Sequence, residues 1–408
     1  MSRRLGGRDF ALFWAVETLS TFGSAFSLIA VPLLVLHATG SVAQMGLLTG
    51  ALSVATLASG FFSGVVADRF DRKRLLILCN VAQALLFGAV PLVWVWAQPI
   101  WLLYVVVPVT GVFAMLFRVT YVTVVPRLVD ADEITRANGR LSASFGATGV
   151  LGPVLAGVVS GRFGPTAAIA IDAATFALAS IGLLLIRLRP AAAQPAPAER
   201  TSFWAEFTLG ARFLWRHPVL RPLMLVLTAL IFLWQGLADV FIFYLKHDLR
   251  QPDGTVGTVM AVSALGTVAG ALAVARIRRR AGFGVSWIGS TMLAGACVAG
   301  IALTDSVVGV AVFLAFAFGF TAIGGICSMS LRQEITPSPL LGRVTSAWWT
   351  IHGSLGPLGA AVVTAGAARL GSHAVLAFCG IAYLLIAASA ALTPVRLAHP
   401  ERLAADTV

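Results

Sequence analysis

Long apolar stretches recur along the whole chain, and they constrain it more than any other feature. They cover residues 10–36, 43–67, 75–97, 101–124, 141–161 and 166–187, then, after a gap, 222–245, 256–275, 284–304, 307–329, 344–367 and 373–394. Each is broken from the next by charge, Gly or Pro. Crossing about 30 Å of hydrocarbon at about 1.5 Å per residue takes roughly 20 residues, with every backbone polar group bonded inside the helix. Twelve such stretches predict an all-α integral membrane protein with twelve transmembrane helices. With 58% hydrophobic and 11% charged residues among 408, several soluble domains are not a credible alternative.

The gap between the two sets of six opens with Pro190-Ala-Ala-Ala-Gln-Pro-Ala-Pro-Ala-Glu199, which has no helical periodicity. It predicts a boundary: an N-terminal six-helix bundle over 1–189, a cytoplasmic linker over 190–221, a C-terminal bundle over 222–395 and a tail over 396–408. Within the linker, Phe203, Phe207, Ala211, Phe213 and Leu214 interleave with Arg212, Arg216 and Arg221. That pattern predicts a helix lying in the membrane interface with basic groups toward lipid phosphates.

The net charge of +12 raises nucleic-acid binding, but the basic residues fall in short bursts between apolar runs rather than on one patch. With the N-terminus inside, all of the 29 Lys and Arg residues except Arg162, Lys246, Arg250 and Arg369 fall on the inner side. The expectation is a multi-pass protein of a bacterial-type plasma (inner) membrane with both termini cytoplasmic, no nucleic-acid partner, membrane lipids around it and a monomeric state. Arg3, Arg4 and Arg8 precede an apolar run too long for a signal-peptide core and without an Ala-x-Ala site, so it reads as a retained first helix. Cys79, Cys297, Cys327 and Cys379 show neither disulfide nor metal spacing, and no metal or cofactor is expected.

The segment from Gly64 to Arg74, with Asp68, Arg69, Arg72 and Lys73, joins the second and third stretches on the inner side and resembles the signature loop of the major facilitator superfamily. Asp71 stands where that pattern has its second Gly. The same departure is found in the branch of enterobactin, macrolide and secondary-metabolite exporters. Pro126-Arg-Leu-Val with Ala137-Asn138, Gly210-Ala-Arg-Phe-Leu-Trp-Arg-His217, and Arg332-Gln-Glu-Ile-Thr-Pro337 with Leu341-Gly-Arg343 resemble that branch too. The resemblance implies two pseudo-symmetric six-helix bundles, the major facilitator fold, rocking about a central cavity. Independently of family, Gly64 permits close helix approach, and Asp68 can bond a helix N-terminus or an Arg to latch the inner face. The basic residues also enforce topology.

The fifth stretch carries Gly149, Gly152-Pro153 and Gly157, which resembles the Gly-Pro motif of antiporters, with Val158 in place of that motif's last Gly. Small residues so spaced allow backbone-to-backbone packing, and Pro153 weakens the helical ladder. Ordinary glycine packing is the other reading.

Carboxylates inside a bilayer are costly, about 2.5–3.5 kcal/mol on insertion scales, so each needs a partner, a wet cavity or a proton. Glu17 lies about eight residues, roughly 12 Å, into the first stretch. Ser20, Thr21, Ser24 and Ser27 continue its polar stripe. Arg118, about 12 Å from the inner end of the fourth stretch, is at matching depth and is expected to approach Glu17 or compete with it for substrate; snorkelling to lipid phosphates is its alternative. Gln235 and Asp239, four apart with Trp234 beside them, are the second half's cavity candidates, Asp239 alternatively being a solvated rim residue. Asp172 reads as a packing or interface-solvated residue, and His352 as a satisfied packing histidine, with titration as its alternative. Phe113, Phe117, Tyr121, Phe232 and Trp234 suit a partly apolar cargo or plain helix packing.

ATP chemistry has no footing, because the only lysines, Lys73 and Lys246, lie in no phosphate-binding loop. No cluster of nucleophile and base suggests an enzyme. The sequence therefore predicts a secondary transporter, a proton-coupled antiporter exporting a bulky amphipathic small-molecule substrate such as a drug, siderophore or secondary metabolite. An importer of the same fold and a transport-silent sensor are the alternatives, protons being the expected coupling ion.

Overall fold

Helices make up nearly all of the chain in the computed structural model, which describes residues 7–122, 124–130, 133–188, 203–337 and 340–400. The Pro- and Ala-rich part of the expected linker and the tail after residue 400 lie outside the described residues. In chain order the helices are α1 (Arg8–Thr39), α2 (Val42–Arg69), α3 (Arg72–Trp94), α4 (Ile100–Val122), α5 (Ile134–Phe163), α6 (Pro165–Leu185), α7 (Phe203–Arg216), α8 (Leu220–Phe243), α9 (Asp253–Ile301), α10 (Val307–Ile335), α11 (Leu341–Gly353), α12 (Gly356–Leu370) and α13 (Ser372–Ser389).

Among the described residues, eleven helical stretches are long and apolar enough to cross a membrane. One of them, α9, has 49 residues, and at about 1.5 Å per residue it would run more than twice the thickness of a bilayer core. It bends at Gly282, whose φ of 75° and ψ of 177° are not helical. Glycine is needed there, since a Cβ would also fall 2.8 Å from Cα of Ala398. The backbone N–H groups of Phe283 and Gly284 donate to the carbonyls of Ala398 and Leu397, at 2.9 and 3.0 Å, so the C-terminal segment straps the corner. Counted on either side of Gly282, the spans number twelve.

A second departure from uniform helix lies in the stretch expected over 344–367. It is broken at Ser354 and Leu355 into α11 and α12. The break is flanked by two glycines, Gly353 and Gly356, and followed by a proline at the second residue of α12, which cannot donate into the preceding turn.

The chain divides into two units, one of Met1–Ala196 with Gln251–Ala261 and one of Pro197–Arg250 with Val262–Val408. In the first, α6 packs along α1 and α3, α4 along α2 and α3, and α5 along α1. In the second, α12, α13 and α11 pack on α8, and α7 lies along α11. The amphipathic α7 covers residues 203–216 of the expected interfacial segment.

The loop between α2 and α3 explains the Asp at a family glycine position. Asp71 is the N-cap of α3, and its side chain accepts from the Arg74 N–H at 2.9 Å. Lys73 reaches across to donate to the Leu184 carbonyl at the end of α6, at 2.8 Å. Asp71 and Lys73 therefore bind helix ends. Arg69 is exposed and Arg72 half-buried, while the side-chain surroundings of Gly64 and Asp68 lie outside the described residues.

Candidate functional site

In the first unit the geometry of α1 decides which polar residues face what. Gly23 lets α6 approach so closely that a Cβ there would lie 2.8 Å from Oδ1 of Asp172 and overlap Thr175 Oγ1. One turn on, Ser27 donates its hydroxyl to the Asp172 carboxylate. Asp172 is fully buried, 0% exposed, and Thr175 donates to its backbone carbonyl at 2.7 Å. Ser27 thus belongs to the seam with α6 rather than to a cavity-lining stripe, while Ser24 is exposed.

Glu17 points elsewhere. Phe13, one turn before it, stacks on Tyr121 of α4 with ring centroids 5.7 Å apart, and Tyr121 lies within electrostatic reach of the Glu17 carboxylate. Glu17 is 7% exposed, and its Oε2 is enclosed without a hydrogen-bond partner among the described residues. Arg118 sits on α4 but is exposed and makes no ion pair with Glu17, so the anticipated pairing is absent from this arrangement. On α4 it is Tyr121, stacked on Phe13, that holds the position against α1, while the Arg118 side chain is exposed. Tyr121, which the sequence offered only as a cargo-lining or packing aromatic, is the α4 residue placed beside Glu17.

Of the antiporter-like glycines, two are at helix contacts. Gly152 meets Ala25 of α1. A Cβ on Gly157 would lie 2.7 Å from Cα of Gly257, at the start of α9 within the same unit, and 2.9 Å from the Asp253 carbonyl oxygen. Pro153 presents its carbonyl to Gly257. Gly149, by contrast, has nothing within 4 Å.

In the second unit Gln235 lies across from the break between α11 and α12, where a Cβ on Gly356 would be 3.6 Å from its Cγ. Asp239, one turn further along α8, is buried rather than a solvated rim residue. Trp234 turns to another face, against Phe318 of α10 and Tyr383 of α13 at 5.4 and 6.1 Å. Interrupted spans of this kind expose backbone groups that a cargo or ion can use.

A cation that the sequence did not single out lies nearby. Arg332 of α10 is only 2% exposed. Its guanidinium stands 4.6 Å over the Trp348 ring and 6.0 Å from Trp349, and its Nε has no hydrogen-bond acceptor among the described residues. His352, at the end of α11, packs 5.9 Å from the Trp349 ring with its Nδ1 enclosed and unpartnered there, so it is not a fully satisfied packing histidine. The charge of Arg332 looked like one more topology signal in an inner loop. Only burial distinguishes it. Among the described residues no three His, Cys, Asp or Glu side chains gather as a metal site.

The family model of the Major Facilitator Superfamily matches residues 13–360. The chain is 25% identical over 412 residues to the enterobactin exporter EntS of Escherichia coli (strain K12), covering 97% of this chain and 94% of that one. It is 24% identical over 379 residues to the multidrug efflux pump Tap of Mycolicibacterium fortuitum, covering 91% and 92%. Its fold superposes on the crystal structure of the nucleoside transporter NupG with a TM-score of 0.75 at 14% identity, over 94% of this chain and 98% of that one. With eleven helical stretches long and apolar enough to span a membrane among the described residues, twelve when α9 is divided at Gly282, and this family match over most of its length, the chain belongs to the Major Facilitator Superfamily: it is a multi-pass membrane transporter and not an enzyme.

Proposed function

We propose that this transporter is a proton-coupled antiporter of the bacterial inner membrane, with both termini cytoplasmic, that exports a bulky amphipathic small molecule by rocking its N-terminal bundle (1–189) against its C-terminal bundle (222–395). The observation that carries the reading is Glu17, a carboxylate enclosed in a membrane span whose Oε2 has no hydrogen-bond partner among the described residues. Such a group is tolerated when it holds a proton, and it becomes a coupling site when a change of surroundings lets the proton leave. The proton gradient across the membrane supplies the drive; each charge moved is worth about 2.3 kcal/mol per 100 mV.

Export is favoured over import because relatives matched over most of their lengths are an efflux pump and an exporter. The close seam at Gly152, Pro153 and Gly157 supports the same direction, given its resemblance to antiporter sequences. For the cargo site we assign the interrupted span between α11 and α12 with Gln235, Asp239 and His352, where polar groups adjoin aromatic rings. Glu17 takes the proton, with Tyr121 beside it and Arg118 free to meet an anionic group of the cargo.

The test uses protein reconstituted in liposomes with an interior pH dye and no imposed gradient, challenged with macrolides, catecholate siderophores and cationic dyes. Substrate-elicited proton movement that is lost in Glu17→Gln, with folding unchanged, is the expected result. Proton movement undiminished in Glu17→Gln would remove Glu17 from the coupling, and transport of substrate without proton movement would remove the antiport.

A further inference from the structure

Between α7 and α8 the chain turns through His217, Pro218 and Val219, and a cavity of 290 Å³ opens at this turn, lined by Trp215, Arg216, His217 and Arg221 among others. The imidazole of His217 performs the capping of α8. Its Nδ1 accepts from the backbone N–H groups of Val219 and Leu220, at 3.1 and 3.2 Å, which are orphan donors of the first turn. An atom that accepts two N–H bonds carries no proton, so the proton of the neutral ring is on Nε2. That Nε2–H is enclosed and has no acceptor among the described residues, in a residue 8% exposed. A buried donor left unmet costs about 1–3 kcal/mol, and the cavity at its side is where an acceptor would enter.

The other groups specify the acceptor's charge. Arg221 stacks on Trp215 at 4.8 Å from the ring centroid. Both it and Arg216 are exposed, and no carboxylate lines the cavity with them. The N-terminus of α8, a 24-residue helix, adds the positive end of its dipole. Two guanidinium groups and the N-terminus of α8 thus border the same cavity as His217, whose buried Nε2–H is unpartnered among the described residues. The turn also directly precedes the span beginning at Leu220 and follows the amphipathic α7, so it lies at headgroup depth, with Trp215 placed as interfacial tryptophans are.

We propose that the α7–α8 turn is a binding site for a phosphoryl oxyanion, held by Arg216, Arg221 and the Nε2–H of His217. The phosphate belongs either to a phospholipid headgroup or to a soluble phosphate ester. The proposal is independent of what the transporter carries.

The test is titration of the purified full-length protein in detergent with phosphatidylglycerol, phosphatidylcholine and, separately, inorganic phosphate, read by native mass spectrometry and thermal stabilisation. His217→Asn is the informative variant, because the Asn side chain can still accept from the N–H groups at the start of α8 but offers no donor where Nε2 stood. The double variant Arg216→Gln/Arg221→Gln tests the charges without touching the cap, should His217→Asn fold poorly. Phosphatidylglycerol binding about tenfold weaker in these variants, as loss of a bond to a charged group would give, is the expected result. Competition by inorganic phosphate would assign the site to a soluble phosphate, and its absence to the lipid headgroup. Binding equal in wild type and variants would overturn the site.

Discussion

Ser27 of α1 donates its hydroxyl to the carboxylate of Asp172 on α6, and Gly23, one turn earlier, provides the room for that contact. A Cβ at position 23 would overlap Thr175 and come within 2.8 Å of Asp172 Oδ1. Gly23→Ala is therefore expected to destabilise the protein by about 1–3 kcal/mol through overpacking, and Ser27→Ala by about 1–3 kcal/mol through loss of a donor to a buried carboxylate. Melting in detergent checks both, with Ser24→Ala, an exposed serine of the same helix, as a silent control.

The glycines of α5 should separate by their neighbours. Gly149→Ala meets open space and gains helix propensity, so stability and transport should hold. Gly157→Ala places a methyl group 2.7 Å from Gly257 Cα and 2.9 Å from the Asp253 oxygen, both backbone atoms that cannot rotate away. Melting and transport assays on the two variants should show a loss for Gly157→Ala alone.

Arg332 offers a contrast between stability and use. A buried cation over aromatic rings is a poor source of stability, because taking one ion out of water costs several kcal/mol, which an apolar residue of similar length avoids. Its stacking on Trp348 offsets part of that, about 2 kcal/mol for a desolvated cation–π contact. Arg332→Met is expected to melt within a few degrees of wild type or above it while transport falls. A lowered melting temperature with full transport would make Arg332 a purely structural residue.

His217 gives a pH signature. Burial lowers its pKa below the ordinary value of 6.5, so the unfolded chain binds a proton that the folded one refuses. Its contribution to stability is then fully present above pH 6.5 and is lost as pH falls through the lower folded value. Protonated Nδ1 can no longer accept from Val219 and Leu220. Melting temperature measured below pH 6.5 should drop more steeply for wild type than for His217→Asn.

How far the sequence reached follows from which forces act locally. Hydrocarbon has no hydrogen bonds to offer, so apolar length alone located the spans, and α1, α3 and α6 fall within a few residues of the stretches read from composition. The signature loop, the amphipathic α7 and the placing of Glu17 inside a span were likewise legible, since each depends on residue type at a fixed spacing, whereas the sequence left Asp239 open between cavity and rim. What a side chain faces is set by helix rotation and by contacts distant in sequence. Hence only the tertiary structure separated Tyr121 from Arg118 as the neighbour of Glu17, tied Ser27 to Asp172, distinguished the packed Gly157 from the open Gly149, and broke the span at Ser354 and Leu355. It also decided that Arg332, one of many inner arginines expected from the sequence, is the one enclosed beside two tryptophans among the described residues, because burial is a property of the packed helices and not of any spacing along the chain.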